Sequence, residues 1–166
     1  MRAPSCGRLR TVAGKRSAGL LVYRRRAGAV EVLLGHMGGP FWARRDAGAW
    51  SIPKGEYDDT EEPRAAAFRE FQEELGLEPP SGELIALGDV TQSGGKVVTA
   101  WAVAGDVDPD AIEPGTFEME WPRGSGRMRE FPEVDRVTWF GLDEATEKIL
   151  AGQRELLERL REYLES

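Results

Sequence analysis

The stretch GEYDDTEEPRAAAFREFQEELGL, Gly55 to Leu77, decides the fold. Within it Glu70, Glu73 and Glu74 recur at i, i+3 and i+4, a spacing that places them on one face of a helix. Three like charges crowded together repel, so they add nothing to helix stability by themselves. A hard divalent cation bound through oxygen ligands removes the conflict. At about 100° per residue, Phe68, Phe71 and Leu75 gather on roughly the opposite side. One face is read as core and the other as a source of oxygen ligands. Pro63 suits a first helical turn, where its missing N–H is no loss, and Gly76 suits the left-handed position just past a helix end. The spacing predicts a helix from Pro63 to Leu75, entered through a loop from Gly55 to Glu61.

Through this segment the chain resembles the Nudix family, whose box reads Gly, five residues, Glu, seven residues, Arg-Glu, an apolar residue, any residue, Glu-Glu, any residue, Gly and an apolar residue. Gly55, Glu61, Arg69, Glu70, Phe71, Glu73, Glu74, Gly76 and Leu77 fill every fixed position. Phe71 stands where the family more often has an aliphatic side chain. The resemblance implies hydrolysis of a nucleoside diphosphate linked to another moiety, assisted by magnesium or manganese. It implies that Glu70, Glu73 and Glu74 carry the metal and that the Gly55 carbonyl adds a ligand, the missing side chain permitting close approach. Glu73 is also a candidate for work on the attacking water. Arg69 is expected to hold a box glutamate through a bidentate ion pair. Glu61 either joins the metal shell or only braces the loop.

Length and composition fit one domain. The chain has 166 residues, 40% of them apolar and 31% charged, as in a globular protein with its own core. A net charge of −7 argues against an extended nucleic-acid surface, which needs basic character. It leaves a small nucleotide substrate open, because bound cations and local basic residues offset it. No apolar run approaches a membrane span. Residues 1–16 carry Arg2, Arg8, Arg10, Lys15 and Arg16 without an apolar segment, so they read as a loose basic extension rather than a secretory signal. The lone cysteine, Cys6, lies there and has no intramolecular partner, so a cytoplasmic location is expected. Residues 17–166 are read as a single domain.

Ser17 to Arg26 and Glu31 to His36 are β-rich runs joined by the hairpin signal Ala27-Gly28-Ala29. Glu83 to Gln92 and Lys96 to Gly105 are two more, joined by Ser93-Gly94-Gly95. Phe117 to Trp121 and Val137 to Phe140 are shorter candidates. Asp143 to Leu150 reads as a helix with Asp143 as N-cap, and Gln153 to Leu164 as an amphipathic terminal helix. The class is α/β, similar to the Nudix α/β/α sandwich with a mixed sheet between helices.

The substrate is sought in the loops. Trp50-Ser51-Ile52-Pro53-Lys54-Gly55 has Lys54 where the family usually has glycine, and it resembles the branch that hydrolyses diadenosine polyphosphates. Lys54 puts a point charge beside the metal site, which suits an additional phosphate. Gly38 to Arg45 joins glycines, Phe41 and Trp42 to Arg44 and Arg45; aromatics stack purines and arginines hold phosphate, although the same aromatics equally fit an ordinary loop folded on the core. His36, the only histidine, precedes this loop and is placed on the substrate side. Glu133, before a short strand ending in Trp139-Phe140, stands where some family members carry an acidic residue that helps the metals or acts as base. Glu118 and Glu120 share one strand face and either reach the metals or face solvent. Arg123-Gly124-Ser125-Gly126-Arg127 is a basic loop suited to distal phosphates. A nucleoside triphosphate or nucleotide-sugar hydrolase is the main alternative. A non-catalytic nucleotide sensor and an RNA-end processing enzyme stand behind it.

Overall fold

The computed structural model describes residues 15–166. Its spine is strand β1 (Arg16–Arg26). Ala18, Leu20 and Val22 enter one apolar cluster and Leu21 enters another on the opposite face. A strand covered on both faces needs that pattern. Ala27 and Gly28, both at positive φ, form the two-residue turn into β2 (Ala29–Met37). Such turns match the twist of the strands they join.

β1 and β2 pair only near that turn, from Tyr23↔Val32 to Arg26↔Ala29. Beyond it they part. Strand β4 (Lys54–Glu56) fills the opening on β1, opposite Ser17 to Gly19, and β3 (Trp50–Ser51) fills it on β2, opposite Gly35 and His36. The Ile52-Pro53 link between them crosses the fork, and Leu20 N–H donates to the Pro53 carbonyl at 3.1 Å. On its other edge β1 runs parallel to β6 (Val97–Ala104), which pairs with β5 (Leu84–Thr91). The far edge of β2 carries β9 (Val134–Gly141). Strands β7 (Thr116–Glu120) and β8 (Met128–Pro132) form a separate two-stranded hairpin.

Helix α1 (Pro63–Leu75) covers one face of the sheet with Ala66, Ala67, Phe71 and Leu75. Each large apolar side chain so buried contributes about 1.5–3 kcal/mol. Helices α2 (Leu142–Lys148) and α3 (Arg154–Glu165) cover the other, where Leu156, Leu157 and Leu160 are buried. The result is the expected α/β/α sandwich around a mixed sheet. Among the described residues no helix is long and apolar enough to cross a membrane.

The box helix has the predicted bounds, with Pro63 in its first turn and Gly76 left-handed at its end, φ 69°. Other details differ. α2 begins at Leu142 with Gly141 at its cap, and Asp143 instead pairs with Arg161 at 2.9 Å. β1 begins at Arg16, inside the stretch read as an extension; Cys6 and the rest of residues 1–14 lie outside the described residues. Strands β3, β4 and β8 carry no usable sequence signal, being very short or polar.

Gly19 lines the fork. A methyl group there would lie 2.6 Å from the Pro53 carbonyl oxygen and 2.7 Å from Lys54 Cβ. Gly19→Ala is therefore expected to cost about 1–3 kcal/mol in a urea melt through overpacking. A melt indistinguishable from wild type would show that the fork has slack at this point.

Candidate active site

Where β1 and β2 part, four carboxylates meet two lysines. Glu70, Glu73 and Glu74 come from α1, and Glu133 from the residue between β8 and β9. Gly115 binds the ends of the group together. Its N–H donates to the Glu73 carbonyl at 3.1 Å, and its carbonyl accepts from Glu133 N–H at 2.8 Å. Gly55, on β4, faces Glu70 so closely that a Cβ there would lie 1.9 Å from Glu70 Oε1. Any larger residue at 55 would expel that carboxylate.

Arg69 braces the cluster. Its Nε and Nη2 hold Glu61 bidentately at 2.7 and 2.8 Å, while Nη1 reaches Glu70 at 2.7 Å and Glu73 at 3.2 Å. These bonds raise its already high pKa further, the Glu61 contact most. Glu61 thus braces the loop through Arg69 in this arrangement.

The electrostatics show an unresolved surplus of negative charge. Burial pushes Glu74 up to about 8, repulsion from Glu133 and Glu70 adds to the effect, and the charge of Lys54 opposes it. Helical geometry explains the burial. At about 100° per residue Glu74 sits only about 60° from Phe71, at the border of the apolar stripe rather than opposite it. Glu133 is also raised, first by burial and then by Glu70 and Glu73. Lys54 is lowered, first by burial and then by the charge of Lys96, against the pull of Glu74, Glu56 and Glu70. Lys96 bonds Glu56 at 3.5 Å. It enters the site from the start of β6, and nothing local in the sequence marks it.

Among the described residues no three His, Cys, Asp or Glu side chains already form a metal cage. Arg69 engages one oxygen each of Glu70 and Glu73. The donor set nevertheless fits hard cations. It is all oxygen, burial and then mutual repulsion raise Glu74 and Glu133, and Gly55 leaves room for the Glu70 carboxylate that a side chain would displace.

Other candidates lie elsewhere. His36 is fully buried, with Nδ1 3.0 Å from Asp135 Oδ1 and Nε2 2.6 Å from the Arg45 carbonyl, and its ring meets Trp50 edge-on. Both ring nitrogens are engaged, so His36 anchors the following loop and has no atom left for a substrate. Trp42 packs partly on the core. Arg44 is exposed, and Arg45 lies 4.2 Å over the exposed Phe41 ring. Glu120 accepts from the N–H groups of Gly124 and Gly126 at 3.1 and 2.7 Å, so it shapes the hairpin tip. Glu118 is exposed on the same hairpin face.

A family model of the NUDIX domain matches residues 14–160, and the chain belongs to that family. Among curated proteins, an RNA pyrophosphohydrolase of Pseudoalteromonas translucida is 40% identical over 62 residues, 37% of this chain and 36% of that protein. One of Cellvibrio japonicus is 42% identical over 57 residues, 33% and 34% of the two chains. The matched segment thus spans about a third of these relatives' length. Among solved structures, a C. elegans Ap4A hydrolase binary complex superposes with TM-score 0.62 at 23% identity, over 90% of this chain and 97% of that one. The NUDIX domain of Shewanella oneidensis NrtR, complexed with ADP ribose, gives 0.61 at 20% identity, over 92% and 89%. At these identities the superpositions speak for the fold.

The raised Glu74 makes stability depend on pH. A carboxyl whose pKa rises from 4.5 to about 8 on folding stabilises the fold below 4.5, and that contribution is lost as pH rises through 8. Metal-free protein should therefore melt at progressively lower temperature across this window, and Glu74→Gln should flatten the slope. Thermal melts in chelator across the pH range check this; parallel curves for the two proteins would reject it.

Proposed function

We propose that this protein is a metal-dependent pyrophosphohydrolase that cleaves a phosphoric anhydride in a nucleoside diphosphate-linked compound, with a dinucleoside polyphosphate as the preferred substrate. The reading rests above all on one juxtaposition, the carboxylate cluster of Glu70, Glu73, Glu74 and Glu133 beside Lys54, with Lys96 close to Lys54. Carboxylates alone suit a metal; carboxylates beside two cations suit a metal carrying a chain of phosphates. The likeness to RNA pyrophosphohydrolases and to an Ap4A hydrolase supports the same class of reaction.

Glu70, Glu73, Glu74 and the Gly55 carbonyl would hold magnesium or manganese, which when bound neutralises phosphate charge and makes a water more acidic. Arg69 keeps Glu70 and Glu73 oriented through fixed hydrogen bonds. Lys54 and Lys96 bind phosphate oxygens beyond the scissile bridge and stabilise the leaving group as its charge grows. Glu73 and Glu133 are the two candidates to take the proton of the attacking water. Burial, and then the charges of Glu70 and Glu73, raise Glu133, which favours it as a proton acceptor. Phe41 with Arg45, and Arg44 beside them, form a wall suited to a base and its phosphate.

A substrate panel with magnesium tests the reading: diadenosine tetra- and hexaphosphate, nucleoside triphosphates, ADP-ribose and a nucleotide sugar, with products separated by chromatography. Fast release of ATP from the dinucleotides is expected. Preference for a triphosphate or ADP-ribose would keep the chemistry and replace the substrate; no turnover with either metal would remove the enzyme reading. Glu70→Gln and Glu74→Gln should each abolish most turnover while leaving circular dichroism unchanged.

Three further substitutions assign roles. Replacing the general base should cost about 10²–10⁴-fold in kcat, so Glu133→Gln and Glu73→Gln are to be compared at saturating metal. Lys54→Ala should penalise substrates with four or more phosphates more than those with two. Equal loss along the series would show that Lys54 does not count phosphates.

A further inference from the structure

The β7–β8 hairpin is joined to the carboxylate cluster at both of its ends. Gly115, just before β7, bonds Glu73, and Glu133 follows β8 directly. Each strand has five residues, so the hairpin extends about 17 Å at roughly 3.4 Å per residue. Its register sorts side chains by face. Phe117 lies opposite Phe131 and Met119 opposite Arg129 on one face; Glu118 lies opposite Glu130 and Glu120 opposite Met128 on the other. Arg129 and Glu130, neighbours in β8, are thereby kept on opposite faces.

The aromatic face is the one turned to the loop after β2. A methyl group on Gly39 would lie 3.0 Å from the Phe117 ring. Phe117 and Phe131 are 6.0 Å apart between centroids, and the Arg129 guanidinium lies 5.7 Å over Phe131. The Phe41–Arg45 stack belongs to that same loop. Among the described residues Arg123, Arg127 and Arg129 take part in no ion pair, although fourteen ion pairs link other residues. Glu120 ties down the tip through Gly124 and Gly126, so Arg123 and Arg127 are carried on an ordered turn. A guanidinium group over an aromatic ring, with two more arginines on the adjoining tip, in a protein of net charge −7, complements an anionic aromatic ligand.

We propose that the aromatic and arginine face of the β7–β8 hairpin is a second subsite, which holds the nucleoside and adjoining phosphate on the far side of the cleaved anhydride. The proposal rests on the polyphosphate reading of the main site. Phe131 and Arg129 stack the base, and Arg127 with Arg123 pairs with phosphate. The hairpin thus selects substrates bearing a nucleoside at both ends of the phosphate chain.

Two substrates that differ only in the second nucleoside isolate this function: diadenosine tetraphosphate and adenosine tetraphosphate. In wild type the dinucleotide should have the lower KM. The Arg127→Glu, Arg129→Glu double variant should raise its KM about tenfold and leave kcat nearly unchanged. Its KM for adenosine tetraphosphate should change much less, and Arg129→Lys should recover part of the loss. Equal KM increases for both substrates would overturn the nucleoside subsite in favour of general charge attraction. Unchanged kinetics with an altered sedimentation coefficient would overturn it in favour of contact between copies of the chain. Titration of Glu74→Gln protein with diadenosine tetraphosphate, with and without the arginine substitutions, separates the two proposals. Arginine-dependent binding without wild-type turnover would sink the reaction and keep the subsite. Normal turnover with arginine-independent binding would sink the subsite alone.

Discussion

Negative charge crowded into a partly dry fork is the constraint on which the rest of this structure depends. Glu74 lies at the border of the apolar stripe of α1, and Glu70, Glu73 and Glu133 converge on the same corner. Burial and this crowding raise Glu74 and Glu133. Arg69 answers part of the repulsion with a planar fork that reaches three glutamates at once, a geometry a lysine cannot reproduce. The charge of Lys54 answers another part from beside Glu74. What remains unbalanced is the capacity of the site to accept cations.

The sheet makes that corner possible. β1 and β2 are held together by their hairpin and then separate, and the short strands β3 and β4 line the gap. The small size of Gly19 lets Pro53 and Lys54 lie against β1, and Gly55 lets Glu70 lie against β4. On the opposite side, buried Gln153 reinforces the same link: its Oε1 accepts from Ile52 N–H at 3.1 Å, and its Nε2 donates to Ser51 Oγ at 3.0 Å and Gln92 Oε1 at 2.7 Å. The crossing of the fork is thus fixed from both faces, which suits a site whose carboxylates must stay in place under repulsion.

His36 shows how a chemically attractive residue is diverted to support. A single histidine at a strand end beside an aromatic and basic loop reads as substrate machinery. Packed, it is a hub: Asp135 from β9 and the Arg45 carbonyl occupy its nitrogens, and Trp50 closes its ring. It thereby positions Trp42, Arg44 and Arg45 without touching what they would bind.

The sequence by itself determined the box helix to the residue, the order of the long strands and the α/β/α class. The helix and the strands rest on local physics, side-chain periodicity, a proline in the first turn and a left-handed glycine at the end, whereas the α/β/α class was implied by the resemblance to the Nudix family. It also named Lys54, Arg69 and the box glutamates, because their spacing lies within one short segment. Tertiary structure alone decided the approach of Lys96 to Lys54, the choice of Glu61 as the bidentate partner of Arg69, the burial of His36 and the sorting of the β7–β8 hairpin into two faces. These depend on strand register and on contacts between residues far apart in the chain, where a shift of one position turns every side chain to the other face.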